Sequence, residues 1–150
     1  MSQTFTHVLL HLIFSTKHRA PSITAEIQRP LYEYMGGLLR NEGGVLLAVG
    51  GMPDHVHLLV RIKAGCTLTT LMRVLKANSS RWLNERCPNQ EPFRWQGGYA
   101  AFSVSQSQTG TVRRYIERQE EHHAHLSFRD ELIALLRRHK IDFDERYLLD

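Results

Sequence analysis

His55 and His57 stand two residues apart in the run Pro53-Asp54-His55-Val56-His57-Leu58-Leu59-Val60. In an extended strand that spacing sends both imidazoles to one face and Val56 to the other. Neutral imidazole ligates several divalent ions, and a rigid sheet would fix both rings before an ion arrives. Val56, Leu58, Val60 and Ile62 make the reverse face apolar, so burial under helices would anchor the strand. Taken alone, His-Val-His fits two ordinary sheet histidines better than a metal site. A second pair lies in Val112-Arg113-Arg114-Tyr115-Ile116-Glu117-Arg118-Gln119, where Tyr115 and Gln119 are four apart and would share one helical face. A phenol, with a pKa of about 10 in small peptides, becomes a phenolate near a cation and can attack phosphorus directly. The Gln119 amide oxygen would serve as a neutral third ligand, leaving positions on the ion for phosphate oxygens. A lone tyrosine at this spacing would otherwise read as a helix residue packed on the sheet.

These groups need a scaffold. Phe5 to Ser15 is β-prone and runs into the basic loop Thr16-Lys17-His18-Arg19-Ala20-Pro21, which predicts a first strand. Ile27, Leu31, Tyr34, Leu38 and Leu39 follow possible caps at Ser22 or Thr24 and predict a helix to about Asn41. Val45 to Val49, a turn over Gly50 to Asp54, and His55 to Ile62 predict an antiparallel pair. Leu68, Leu71, Met72, Leu75, Trp82 and Leu83 define an amphipathic helix with Arg73, Lys76, Ser80 and Asn84 on its opposite side. After a loop holding Phe93, Arg94 and Trp95, the run Tyr99 to Val104 predicts a fourth strand. One helix is expected from about Gln108 to His123. Another should start at the Ser127–Asp130 capping box and bury Phe128, Leu132, Leu135 and Leu136. The order β-α-β-β-α-β with two further helices predicts an α+β fold, a ferredoxin-like or RRM-like split βαβ antiparallel sheet with added C-terminal helices, one carrying Tyr115.

At 150 residues and 42% hydrophobic content the chain can bury one core, and a single domain over residues 1–150 is expected. The formal charge of +4 leans toward a polyanionic partner. Cys66 and Cys87 are far apart and lack metal-type spacing, so reduced thiols and a cytoplasmic, nucleoid-associated location are expected. The apolar stretch Val8 to Phe14 is interrupted by His11 and is far below spanning length, which argues against a signal peptide or membrane helix.

Four segments, Phe14-Ser15-Thr16-Lys17-His18-Arg19, Pro53 to Val60, Trp95-Gln96-Gly97-Gly98-Tyr99 and Tyr115-Ile116-Glu117-Arg118-Gln119, together strongly resemble the single-tyrosine HUH transposases of small bacterial insertion sequences, the IS200-like group. Their order and spacing match over nearly the whole chain. The resemblance implies a homodimer that joins sheets, with active sites that in some arrangements combine one subunit's tyrosine helix with the other's histidines. It also implies recognition of DNA hairpins at element ends, and cleavage of single-stranded DNA with Mg²⁺ or Mn²⁺ through a covalent 5′-phosphotyrosine. Carried over residue by residue, His55 and His57 would be the paired ligands, Tyr115 the nucleophile and Gln119 the ligand one helical turn beyond it. His122, three residues after Gln119, competes for that third position. Relatives associated with repetitive extragenic palindromes usually carry Asn-Pro after the tyrosine segment. This chain has Gln119-Glu120-Glu121-His122-His123, which favours the mobile-element branch and leaves a domesticated palindrome-associated transposase as the alternative.

Lys17, His18 and Arg19 after the first strand, with Arg73 and Lys76 on the second helix, are expected to meet DNA phosphates; a solvated polar face is the bland counterpart. Trp95 is read as a core plug ahead of a base-stacking residue. Tyr99 lies in an apolar run and Tyr147 in the acidic tail Asp142 to Asp150, so Tyr115 is the preferred nucleophile. Two other classes make distinct predictions. A ferredoxin-like RNA-binding module would bind without metal, and a metal hydrolase would cut without becoming covalently attached.

Overall fold

The computed structural model describes residues 2–148; of the acidic tail, Leu149 and Asp150 lie outside the described residues. Four strands, β1 (Val8–Ser15), β2 (Gly44–Met52), β3 (His55–Ile62) and β4 (Ala100–Val104), form one antiparallel sheet in the order β2-β3-β1-β4. That is the ferredoxin-like arrangement expected from the element order, with β1 and β3 central. Phe5, read as part of the first strand, lies before it and is exposed. The β2–β3 hairpin is tighter than the sequence suggested. β2 continues through Gly50 and Gly51 to Met52, and only Pro53 and Asp54 separate it from β3.

Helices α1 (Ala25–Asn41) and α2 (Leu68–Arg86) cover one face. There Leu12, Phe14, Val56, Leu58 and Val60 pack with Leu31, Met35, Leu39, Leu71 and Leu75. Each such fully buried side chain contributes about 1.5–3 kcal/mol, so the reverse side of the His55–His57 strand is firmly fixed. Trp95 belongs to this core, as expected, and its indole nitrogen donates to Ser79 Oγ at 2.9 Å. Two polar residues of α2 depart from the expected solvated face. Asn84 exchanges hydrogen bonds with the Phe93 backbone, and Lys76 Nζ donates to the carbonyls of Gln96 (2.6 Å) and Gly98 (2.8 Å). Both tie down the loop before β4, whose return over α2 periodicity does not reveal.

The other sheet face carries α3 (Thr109–Glu117), α4 (Gln119–His123) and α5 (Phe128–Arg138). The single helix expected over 108–123 is broken at Arg118, where φ −108° and ψ 30° leave the helical region. Ile116 packs on Ala48 and Leu59. Phe128, Leu132, Leu135 and Leu136 pack on Ile13 and Phe102, with Ser127 capping the Asp130 amide as predicted. Gly50 governs how near α3 can come: a Cβ there would fall onto the Ile116 carbonyl oxygen. Gly50→Ala must therefore push α3 off β2, at a cost of about 1–3 kcal/mol by overpacking. The expected outcome is a thermal midpoint lowered by several degrees, together with weaker divalent-ion binding.

Candidate functional site

β3 presents His55 and His57 on the face beneath α3, α4 and α5, and neither ring is exposed to solvent. Each ring is held by the nitrogen that points away from its neighbour. His55 Nδ1 meets Asp54 Oδ1 at 2.7 Å, and His57 Nδ1 meets His11 Nε2 of β1 at 2.8 Å. Both Nε2 atoms are thereby aimed into one space, the arrangement by which outer groups orient metal-binding histidines. Asp54 and His11 were not singled out in the sequence. Asp54 adjoins His55 and was readable in principle, whereas His11 reaches His57 only through the β1–β3 register, which sets His57 opposite Ile13.

Tyr115 and Gln119 are brought to the same place despite the helix break. Gln119 Oε1 lies 3.1 Å from His55 Nε2, and Gln119 is 2% exposed. The rings of His57 and Tyr115 are 5.8 Å apart. His122 packs its ring on Tyr115 at 4.5 Å. The position beside the histidine pair belongs instead to His123, whose Nε2 is 3.0 Å from Gln119 Oε1. Tyr115 also borders a cleft of about 440 Å³ with His11, Phe102, Arg138 and His139. Tyr99 and Tyr147 line a different cavity, with Phe143 and Leu148.

At the centre is a residue the sequence did not flag. Glu131 of α5 is 1% exposed; its Oε1 lies 3.0 Å from His57 Nε2, 3.1 Å from His123 Nε2 and 3.5 Å from His55 Nε2. Its Oε2 accepts from the Tyr115 hydroxyl and from Gln119 Nε2. The signal was available: in α5 the buried stripe Phe128, Leu132, Leu135, Leu136 has a carboxylate set into it, and a buried charge costs several kcal/mol unless it is paired.

The electrostatics follow from these contacts. Burial opposes charge on Glu131, but hydrogen bonds from His55 and His57 hold its carboxyl well below the usual range. Burial likewise opposes charge on His55, yet its bonds to Asp54, Glu131 and Gln119 win and raise its pKa to about 9. Burial depresses His57, and it takes His11 down to about 3, so that neutral His11 can accept or donate at His57 Nδ1. Burial, then the Glu131 carboxylate, push the Tyr115 phenol above its ordinary value.

Ligand atoms of His55, His57 and Glu131 all lie within 4.8 Å of one another. An ion with bonds of about 2.0–2.1 Å needs donors roughly 3–4 Å apart, so these two imidazole nitrogens with one or two oxygens could hold a divalent ion. Asp54→Asn, which weakens the hold on His55 Nδ1, is expected to lower Mn²⁺ affinity about 10–100-fold by calorimetric titration. An unchanged affinity would remove Asp54 from the centre.

The expected phosphate contacts are distributed around a different part of the sheet. Lys17 and Arg19 lie exposed on the turn after β1, where His18 and Arg19 have positive φ, and Arg73 is exposed on α2. Lys76, turned toward the loop before β4, borders a cavity of about 320 Å³ together with Lys17 and Arg94. No helix among the described residues is long and apolar enough to cross a membrane. Cys66 and Cys87 are free thiols.

The family model described as "Transposase IS200 like" matches residues 4–119. The ISDra2 transposase of Deinococcus radiodurans is 26% identical over 116 residues, covering 74% of this chain and 83% of that protein. The transposase for insertion sequence IS200 of Salmonella typhimurium is 26% identical, covering 74% and 76%. A solved transposase structure from Deinococcus radiodurans superimposes with a TM-score of 0.64 at 26% identity, covering 79% of this chain and 98% of that one. A REP-associated tyrosine transposase bound to a REP hairpin shares the fold, with a TM-score of 0.53 at 14% identity over 77% of this chain and 68% of that one.

Proposed function

The chain belongs to the IS200-like transposase family, and from that premise we propose that it is a single domain that cleaves and rejoins single-stranded DNA at hairpin-bearing element ends, with Tyr115 as nucleophile. The observation that carries this reading is the meeting of Tyr115, Gln119 and the His55–His57 pair within one chain, around a buried donor set suited to a divalent ion. His55, His57 and Gln119 would hold Mg²⁺ or Mn²⁺, with Glu131 adding a carboxylate oxygen. When bound, such an ion supplies positive charge for the non-bridging and leaving oxygens of the scissile phosphate. Tyr115 attacks that phosphorus from the cleft bordered by Arg138, and the 3′ oxygen leaves. The product is a 5′-phosphotyrosine that keeps the ester's free energy and lets another 3′-hydroxyl reverse the step.

Lys17, Arg19 and Arg73 would neutralise hairpin phosphates, joined by Lys76 through the cavity it shares with Lys17 and Arg94. The partner would be a second copy of the chain, paired through a free sheet edge, β2 or β4. Within the chain, Tyr115 already faces its own histidines, so a dimer of self-contained sites satisfies the geometry. An exchange of tyrosine helices between subunits would have to lift Ile116 from Gly50.

The test is incubation with Mg²⁺ or Mn²⁺ and single-stranded DNA carrying the end of the element that encodes the protein. The expected products are a detergent-resistant protein–DNA adduct and a fragment ending in a 3′-hydroxyl. Cutting without an adduct would support a hydrolase, and binding without cutting a non-catalytic module. A pH dependence accompanies this. His55 has a folded pKa of about 9 against an ordinary 6.5. Its proton therefore stabilises the ion-free fold fully below pH 6.5, and that contribution is lost as pH rises toward 9. An ion must displace this proton, so Mn²⁺ affinity should rise about tenfold per pH unit between pH 6.5 and 8.5. A flat profile in that interval would speak against His55 as a ligand.

A further inference from the structure

We propose that Glu131 is a catalytic residue, the group that takes the Tyr115 proton as the phenol attacks phosphorus; this rests on the reading of Tyr115 as nucleophile. The two oxygens of this carboxylate have separate duties. Oε1 faces the three imidazoles of His55, His57 and His123, whereas Oε2 accepts from the Tyr115 hydroxyl and the Gln119 amide. The side chain is fixed: Glu131 is 1% exposed, on a helix seated through Phe128, Leu132, Leu135 and Leu136 and capped by Ser127. Packing alone gives no reason for a carboxylate in that apolar stripe, where a leucine would bury more cheaply. A base in hydrogen-bond contact with the proton it is to remove meets the first geometric requirement of general base catalysis. Glu131 also lies beyond residues 4–119, the span matched by the family model, so it is supplied by the C-terminal helical addition.

In the step itself the Tyr115 Oη–H bond breaks and its proton passes to Glu131 Oε2 while the Oη–P bond forms. The P–O3′ bond breaks, its electron pair goes to the 3′ oxygen, and that oxygen takes a proton from solvent water. Glu131 then releases its proton to solvent, which neutralises the hydroxide left behind. In rejoining, a 3′-hydroxyl attacks phosphorus and its proton passes to solvent water as the P–O3′ bond forms, while Glu131, reprotonated from solvent, returns a proton to Oη as the P–Oη bond breaks.

The experiment compares single-turnover adduct formation by the full chain at saturating Mn²⁺, using wild type and Glu131→Gln, each with Tyr115 or with a more acidic fluorotyrosine at that position. DNA affinity and Mn²⁺ binding are measured alongside. The expected result is that Glu131→Gln binds DNA as wild type does, binds Mn²⁺ more weakly but is filled at the saturating concentration used, and forms adduct about 10²–10⁴-fold more slowly, and that fluorotyrosine recovers a large part of the loss because its proton needs less help to leave. A Glu131→Gln rate equal to wild type overturns the proposal. So does a slow rate that fluorotyrosine leaves unchanged, which would leave Glu131 with its ion-holding or structural role alone. If the glutamine variant does not fold, Glu131→Asp decides. Withdrawing the carboxylate by one methylene should slow tyrosine more than fluorotyrosine, and equal slowing overturns the proposal. Absence of adduct in wild type itself would instead count against the strand-transfer reading.

Discussion

Tyr115→Phe is expected to form no detectable covalent adduct while still binding Mn²⁺ and DNA. The substitution removes one oxygen and keeps the ring that packs against His11, His57 and His122. Tyr99 and Tyr147 border a separate cavity and do not stand in its place. Loss of the attacking atom leaves a reaction with no nucleophile rather than a slowed one, and knocking out a covalent nucleophile elsewhere costs on the order of 10⁶ in rate. Glu131 loses one of its donors in this variant but keeps those from His57, His123 and Gln119, so the fold should hold. Gel analysis of wild type and Tyr115→Phe side by side reads the effect. Any adduct from the phenylalanine protein would move the nucleophile elsewhere.

His57→Ala is expected to have the second largest effect. It deletes an imidazole that is fully buried between His11 and Glu131. Mn²⁺ affinity should fall by at least about 10²-fold with a primary ligand gone, since even an outer-shell partner is worth 10–100-fold, and adduct formation at fixed Mn²⁺ should fall further. Stability should fall too, because Glu131 and His11 each lose one buried hydrogen-bond partner, at about 1–3 kcal/mol for each group left short. Calorimetric Mn²⁺ titration and thermal unfolding measure the two losses separately. Wild-type Mn²⁺ affinity in this variant would exclude His57 from the ion site.

The parts of this site that follow a backbone period were legible from sequence, and those created by packing were not. Alternation along His55–Ile62 placed two imidazoles on one face and Val56, Leu58 and Val60 on the other, and the sheet has that arrangement. The four-residue spacing of Tyr115 and Gln119 also indicated one neighbourhood, even though the helix between them breaks at Arg118. Glu131 was hidden because its partners lie 8 to 76 positions away, on other elements that the period of α5 does not reach, and because the capping box of α5 drew attention to its apolar residues. His11 was seen only as an interruption in an apolar run; its bond to His57 depends on β1 and β3 being neighbours. Periodicity puts Lys76 on the exposed side of α2 as an expected phosphate contact, whereas the loop carrying Gln96 and Gly98 folds over it and supplies two carbonyls. Each miss involves a polar group whose partner comes from a distant segment. Hydrophobic patterning finds layers well and polar partners poorly, because burial is a property of a face and a hydrogen bond a property of two atoms.

The most direct measurement is peptide mapping by mass spectrometry of the protein–oligonucleotide adduct formed with Mn²⁺ and the matched single strand. A nucleotide 5′-phosphate carried on Tyr115 is the expected result. Its attachment to Tyr99, Tyr147 or any other residue, or cleaved DNA with no modified peptide, would contradict a chemistry centred on the phenol beside the two imidazoles.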